Sequence, residues 1–520
     1  MQTLTSTAPA PTAVEPARTT PRAPRLGRVL CWLVPTVLTG LLVSFRMARP
    51  EPWRDELATW SAATRTVPQI FALGQHIDGV TVPYYLLAHV WSGWFGDSVT
   101  ALRMPSVLAV TATTAVVALL ARRLRGPRAA LLAGLLFAVM PVASRFAQEA
   151  RGYAFAGLFA ALSTLLLLRA LDRPARWWPA YAVSVLLLGW SHQIALLLLL
   201  GHGLAVAVLN RRHLQRWLPA VLLAAAGVLP FTLLGLGQRE TQLDWLVAAT
   251  PGDLAGVAGN MFISGIVGGA VCTLAALGLR ADRDRRATLV FIAAVAPVLT
   301  LYLVDQLVAP IFVGRYLYFT VPLLCAVAGR ALAGLRAPHA VAVVLVVGLV
   351  GLPSQEEMRR GHSGFDYRRA AAMVEANARP GDAIVYAPRG GWQFTDTALR
   401  YYLGDDLPHD VLRWSDQVRN ASLWATTCPA PDTCLSGTAR VWTLSADNLE
   451  TGRRAGETDQ LTDAERHALA PFTRLMSVRV DGFTLVLFER RPRPVGEPDE
   501  PTAAYRHWGP GVVTRSADWG

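Results

Sequence analysis

The chain has 520 residues, 52% of them hydrophobic and only 17% charged, and its mean hydropathy of +0.33 exceeds what a soluble core of this length needs. Its net charge of +12 comes from arginine alone, with no lysine anywhere, which points to a GC-rich coding sequence. The arginines fall in short runs between apolar stretches, a pattern that fits a lipid bilayer as partner and excludes nucleic acid.

Residues 1–27, rich in Pro, Ala, Thr and Arg, read as a disordered cytoplasmic tail. The apolar run that follows is a first span rather than a signal peptide, being long for an h-region and lacking a small-residue cleavage site. A span needs about 20 apolar residues. On that measure about eleven candidates lie near 29–47, 100–120, 128–145, 152–170, 179–192, 194–209, 216–236, 260–279, 287–305, 316–335 and 339–353. The fifth and sixth, divided only by Ser191, His192 and Gln193, also read as one long broken helix. Arg18, Arg22, Arg25 and Arg28 precede the first span. Arg122, Arg123, Arg125 and Arg128, then Arg173 and Arg176, then Arg211, Arg212 and Arg216, then Arg280, Arg283, Arg285 and Arg286, and finally Arg336, follow at alternate turns. With the N-terminus inside, every one of these turns is cytoplasmic. An odd number of spans then puts the chain after residue 353 outside.

The expected fold class is therefore mostly α. A polytopic helix bundle over 28–353 is followed by a small extracytoplasmic α/β domain over 354–495 and a flexible tail over 496–520. In that domain Asp366 to Asn377 reads as an amphipathic helix, and Ala383–Tyr386, Val441–Leu444, Met476–Val480 and Thr484–Phe488 read as strands. Cys428 and Cys434 lie close together there. Outside the cytoplasm a local disulfide is expected rather than zinc, since two further ligands at metal spacing are not evident.

Between the first two spans, the outward segment 48–99 is too long and too polar at its start for a simple turn, and long loops of this kind are often functional. It opens with Trp53-Arg54-Asp55-Glu56, a pair of acids just beyond the first span that an interfacial role would also explain. The run Tyr84-Tyr85-Leu86-Leu87-Ala88-His89-Val90-Trp91 suits a helix lying flat at the interface, as a lid or rim. At the next outward turn stand Gln148, Glu149, Arg151 and Tyr153 after Arg145. Such groups beside hydrocarbon, where a charge costs at least about 2.5 kcal/mol, face a polar cavity or one another. Further outward loops hold Gln238, Arg239, Glu240, Asp244 and Trp245, and then Asp305, Arg315 and Tyr316.

The order of these parts resembles the C-type membrane glycosyltransferases, in the family of protein O-mannosyltransferases and lipid A aminoarabinose transferases. The matching pieces are Asp55-Glu56, the Tyr84-Tyr85 to Trp91 run, Ala101-Leu102-Arg103-Met104-Pro105-Ser106, Gln148-Glu149-Ala150-Arg151-Gly152-Tyr153 and Arg315-Tyr316, with the later domain similar at Asp366-Tyr367-Arg368 and Arg379-Pro380-Gly381-Asp382. Many relatives carry His-Pro or His-Gly before the tyrosines, whereas here Thr81-Val82-Pro83 stands, with His76 and Asp78 nearby. The resemblance implies transfer of a sugar, mannose by default, from a polyprenyl-phosphate donor to a lipid, glycan or protein hydroxyl. No Gly-rich nucleotide loop is evident, and a lipid carrier needs none. Asp55, Glu56 and Glu149 are the catalytic candidates, Asp55 as general base. Arg151, Arg315 and Tyr316 are the candidates for the leaving phosphate, and Tyr84, Tyr85, His89, Arg103, Gln148 and Tyr153 for the cleft. Some relatives use a divalent metal and others do not, so one is possible here. A transporter or lipid flippase would also place charges among helices, but no inverted repeat is evident; a non-catalytic relative is the remaining alternative.

Overall fold

A computed structural model describes residues 25–280, 284–361, 364–448 and 451–492. The expected terminal tails, apart from Arg25 to Gly27, and with them Arg18 and Arg22, lie outside the described residues, as does Arg283. Sixteen helices precede the C-terminal domain. They are α1 (Arg25–Ser44), α2 (Arg54–Ala63), α3 (Val67–His76), α4 (Val82–Phe95), α5 (Val99–Ala138), α6 (Pro141–Ala147), α7 (Tyr153–Asp172), α8 (Pro174–Ser191), α9 (Leu198–Asn210), α10 (Leu214–Gly237), α11 (Arg239–Leu243), α12 (Pro251–Phe262), α13 (Gly265–Arg280), α14 (Arg285–Leu307), α15 (Val321–Gly334) and α16 (Ala337–Arg360).

By length and composition, seven helical segments among the described residues can cross a membrane, or eight if the pair α12 and α13, bent by 94°, counts as one. The chain is thus a multi-pass membrane protein. Two of the seven are hairpins. In α5, Arg125 and Gly126 leave helical geometry, Gly126 at φ +84, and a Cβ on Gly134 would touch Ala118 at 3.6 Å. Sixteen residues of straight helix span about 24 Å, so the chain reverses at Gly126, where a residue free to take positive φ is required. Likewise a Cβ on Gly203 would stand 3.0 Å from the Trp217 ring, so α9 and α10 fold back on each other across Arg211–His213. The arms of the hairpins, α8 and the bent pair coincide with segments read from the sequence, which counts about eleven spans where length and composition select seven or eight segments. α8 is less apolar than these segments, since Arg176 and two prolines stand in its first two turns. His192 is extended, at φ −165 and ψ 112, so α8 and α9 are separate helices rather than one broken one.

The arginine-rich turns gather at one end of the bundle. Asp172 at the end of α7 accepts from Arg286 at 2.8 Å and also pairs with Arg123. Arg330, fully buried in α15, donates to Gly278 O at 3.1 Å and Leu124 O at 2.9 Å and pairs with Asp284 at 3.2 Å. Arg122 reaches Arg28 O at 3.2 Å. At the opposite end α1 finishes, α2 to α4 lie over the bundle, and the C-terminal domain sits on them.

That domain comprises α17 (Tyr367–Asn377), β1 (Ala383–Ala387), α18 (Thr395–Leu403), β2 (His409–Asp410), β3 (Arg413–Ser415), β4 (Thr426–Thr427), α19 (Pro431–Leu435), β5 (Arg440–Ala446), α20 (Asp463–Leu469), β6 (Phe472–Val480) and β7 (Phe483–Arg490). Its sheet runs β2-β1-β5-β7-β6, with β1 parallel to β2 and β5, and β7 antiparallel to β5 and β6. The helix expected from Asp366 starts one residue later, because Asp366 caps it through Arg369 N–H at 2.8 Å, the usual work of an aspartate there. The last spanning helix continues past residue 353 to Arg360, since Gln355 is buried and donates to Val139 O at 3.0 Å. Cys428 and Cys434 are disulfide-bonded.

One apolar cluster joins this domain to the bundle. Leu57, Ile70, Leu73 and Tyr85 of α2 to α4 share a core with Tyr367, Ile384, Tyr386, Leu399 and Trp442. Arg65 adds a bond to Ser422 O at 2.6 Å, and Trp60 meets the Tyr401 ring edge-on at 5.4 Å. Helices α2 to α4 and the domain therefore form one packed layer over the bundle end.

Candidate active site

The segment between α1 and α5 is held by a buried ion pair. Glu56, 2% exposed, is the third residue of α2 and reaches back to the Trp53 N–H at 3.3 Å, as a capping glutamate does. Its carboxylate also accepts both Arg103 Nε at 2.8 Å and Nη2 at 2.6 Å, and the Ala150 N–H at 2.9 Å. Arg103, itself fully buried, spends its remaining donors on the carbonyls of Met47, Pro50 and Glu51. Every polar atom of this pair is in use, so Glu56 is a brace and not a catalytic group, and Arg103 does not line the cleft. These two expectations are corrected on that ground.

The linker 148–152 is fixed from all sides. Gln148 is fully buried and its amide donates to Val43 O at 2.8 Å and Phe45 O at 3.2 Å at the end of α1, which ties the linker there, while its Oε1 has no hydrogen bond. Ser106 donates to Glu149 O at 2.7 Å and Thr59 to Ala150 O at 3.0 Å. Gly152 passes so close to α8 that a Cβ would stand 2.3 Å from Ser191 O. With its backbone so held, the linker aims Glu149 and Arg151 at Asp55. Rigid backing of loop residues is how such sites are assembled.

Asp55 lies beside Glu56 but, about 100° further round the helix, turns away from the brace. Its Oδ2 is 3.7 Å from Arg151 Nε, and its Oδ1 is 4.0 Å from Arg54. Arg151 Nη1 donates to Tyr85 OH at 3.1 Å and stands 3.9 Å from Asp78. Tyr85 donates in turn to Asp78, which also accepts from Gln242 Nε2 at 2.9 Å. Asp78 sits at φ +56 between α3 and α4, an unusual conformation for a non-glycine residue. The turn is gripped by α10, whose Gln238 bonds the Gly79 N–H and Gly74 O, both at 2.8 Å. Burial and the neighbouring Asp78 charge push the Tyr85 phenol well up, so it stays a donor.

On the other side of Asp55, Glu149 is 1% exposed and neither carboxylate oxygen has a hydrogen-bond partner. Arg145 is its nearest cation at 3.5 Å. Burial pushes this carboxyl up to about 7; Arg145 and Arg315 pull it down, and Asp55 and Glu56 push it further up. Arg315 lies among rings, 5.9 Å from Trp53, 5.7 Å from Trp245 and 5.6 Å from Tyr316, and Arg145 lies 5.2 Å from the other occupant of this stack, Trp53. Tyr153 and Tyr316 are near-parallel, 17° apart with centroids at 6.4 Å, and His192 contacts both at 5.3 and 5.2 Å.

Asp55, Glu149, Arg151, Arg315, Tyr316, Tyr85 and Tyr153 thus meet in one cleft. Tyr84 is beside it but buried edge-on against Phe155 at 6.2 Å, and His89 is tied to Ala63 O at 3.0 Å, joining α4 to α2. Asp305, grouped with Arg315 in the sequence, instead accepts from the N–H groups of Ala249, Ile311 and Phe312 and braces its own loop. Asp78, Gln242, His192, Arg145 and Trp53 are site residues that no motif singled out as such. An Asp-Gly pair between two short helices marks a turn and could have flagged Asp78; nothing local flags Gln242.

Among the described residues no three His, Cys, Asp or Glu side chains are grouped to hold a metal ion. The ion-pair partners of the Asp55 carboxylate are the guanidinium groups of Arg54 and Arg151, a setting that disfavours a bound cation at Asp55.

A sequence profile described as Dolichyl-phosphate-mannose-protein mannosyltransferase matches residues 82–234. No curated protein sequence matches the chain. Its fold is similar to that of ArnT from Cupriavidus metallidurans in the apo state, with a TM-score of 0.58 at 16% identity, covering 88% of this chain and 98% of that one. The same protein bound to undecaprenyl phosphate gives a TM-score of 0.57 at 16% identity, with 88% and 98% covered. The chain therefore has an ArnT-like fold, within which residues 82–234 match the mannosyltransferase profile.

Proposed function

We propose that this chain is a membrane glycosyltransferase that moves a sugar from a polyprenyl-phosphate donor to an acceptor hydroxyl, with Asp55 as general base. The observation that carries the reading is the meeting of Asp55 with Arg151 at 3.7 Å beside Arg315 and Glu149, from segments spread over more than half the chain. A carboxylate takes the proton of the acceptor hydroxyl as its oxygen attacks the anomeric carbon. The bond from that carbon to the phosphate oxygen breaks, and the departing lipid phosphate gains charge that Arg151 and Arg315 are placed to meet. The similar fold of ArnT, solved with undecaprenyl phosphate, supports a lipid-phosphate donor, and the profile's description supports mannose as the first sugar to try.

The arginine-rich end of the bundle is read as cytoplasmic and the end bearing the cleft and the α/β domain as extracytoplasmic. A reporter fused after Arg360 is then active outside and one inserted near Arg125 active inside; the reverse labelling sinks this orientation. The function is tested by incubating the purified chain with radiolabelled polyprenyl-phosphate mannose, glucose or galactose and a membrane extract. Label in a lipid, glycan or protein of the extract, dependent on the chain, is expected. No transfer from any of these donors rejects the reading.

A further inference from the structure

The buried polar atoms without partners are not spread evenly round the cleft. On the Arg151 side, Tyr85, Asp78 and Gln242 bond one another and Arg151. On the far side of Asp55, both oxygens of Glu149, Nδ1 of His192, Nε1 of Trp53 and Nε of Arg315 are buried with no hydrogen bond. Native proteins leave few such groups, because each costs roughly 1–3 kcal/mol. Their contacts make them one neighbourhood. Arg145 links Glu149 to the Trp53 ring, Arg315 links Trp53 to Tyr316, and His192 links Tyr316 to Tyr153.

The ligand that this neighbourhood suits must both donate and accept hydrogen bonds and must present an apolar face to rings. A phosphate offers only acceptors and would repel Glu149. A lipid tail offers neither donors nor acceptors. A sugar ring offers hydroxyls that donate to Glu149, accept from Trp53 Nε1 and do either with His192, while its C–H face lies on an aromatic wall, the common make-up of a small-molecule pocket. We propose that the glycosyl group of the donor is bound against the aromatic wall of Trp53, Tyr153, His192 and Tyr316, with Glu149 and His192 as the residues that read its hydroxyls. The proposal rests on the function given above and divides that cleft. Arg151, on the partnered side, serves the phosphate; Arg315 lies at the boundary; Glu149 and His192 serve the sugar.

The test compares two kinds of probe on the full chain in detergent, sugar-free polyprenyl phosphate and polyprenyl-phosphate mannose, glucose or galactose, by equilibrium binding. Glu149→Gln and His192→Ala are each expected to weaken the best sugar-loaded probe roughly tenfold, the loss of one hydrogen bond involving a charged or buried group, and to change affinity for the sugar-free probe less than about twofold. His192→Asn, which keeps a donor and an acceptor, should recover part of the loss, and a cooperative melt shows that each variant is folded. Equal weakening of both kinds of probe, or none of either, overturns the sugar subsite. Failure of the unaltered chain to bind any of the probes overturns the donor class itself, and the subsite with it.

Discussion

Glu56 and Glu149 are both glutamates at the end of the helix bundle that bears the α/β domain, 2% and 1% exposed, yet they belong to regions built on opposite terms. Glu56 sits in a network where Arg103 and two backbone N–H groups take up its carboxylate. Glu149 sits in a wall where nothing bonds it and Arg145 stops at 3.5 Å. Burial alone therefore does not mark a functional carboxylate; what marks it is burial without partners, facing a space that a ligand could fill. The brace holds α2 still, and the wall leaves bonds open. Each region depends on the other, since Ala150, which Glu56 fixes, adjoins Glu149.

The largest expected effect on stability belongs to the brace. Arg103→Ala leaves Glu56 as a buried charge and should cost about 3–5 kcal/mol, read as a collapse of thermal or denaturant resistance in detergent. A loss below about 1 kcal/mol, the range of an exposed pair, would mean that the two regions do not differ in the way described. Next in size, Arg151→Ala should weaken binding of polyprenyl phosphate by about 10- to 100-fold, as expected for a lost charge-assisted bond, with a normal melt. Unchanged affinity would remove Arg151 from the phosphate site.

The smallest effect is a pH dependence at the wall. The Glu149 carboxyl is raised from 4.5 to about 7 in the folded chain, so the folded state holds its proton more tightly than the unfolded state. Its contribution to stability is then fully present below about pH 4.5 and is lost as pH rises through 7. Glu149→Gln removes this dependence. The variant should match the parent near pH 4.5 and melt higher above pH 7, in paired melting curves. A difference that is constant with pH would contradict the raised titration.

Much of this was legible in the sequence, but by element rather than by partner. Four of the domain's strands, β1, β5, β6 and β7, were anticipated by their apolar and β-branched runs while the short β2, β3 and β4 were not, and the turn between the second and third spans was marked by its arginines. Asp55 and the 148–153 linker stood out because charged groups bordering hydrocarbon are costly. The division of labour between Asp55 and Glu56 was not legible, because it depends on Arg103, 47 residues away, and on a rotation of about 100° per residue that places neighbours on different faces. Asp78 was hidden for the same reason. Its partners Tyr85, Arg151 and Gln242 come from three other stretches of chain. His89 resembled a cleft residue by position, and only the Ala63 carbonyl it meets shows it tying α4 to α2.

The most direct test of Asp55 as the base compares sugar transfer by the parent chain and by Asp55→Asn, purified alike and supplied with the same polyprenyl-phosphate sugar and acceptor extract. Turnover should fall by roughly 10²- to 10⁴-fold, the usual contribution of general-base assistance, with an unchanged melting temperature and retained binding of polyprenyl phosphate. An Asp55→Asn chain that transfers sugar at the parent rate would contradict the assignment of the base, even if the cleft itself is as described.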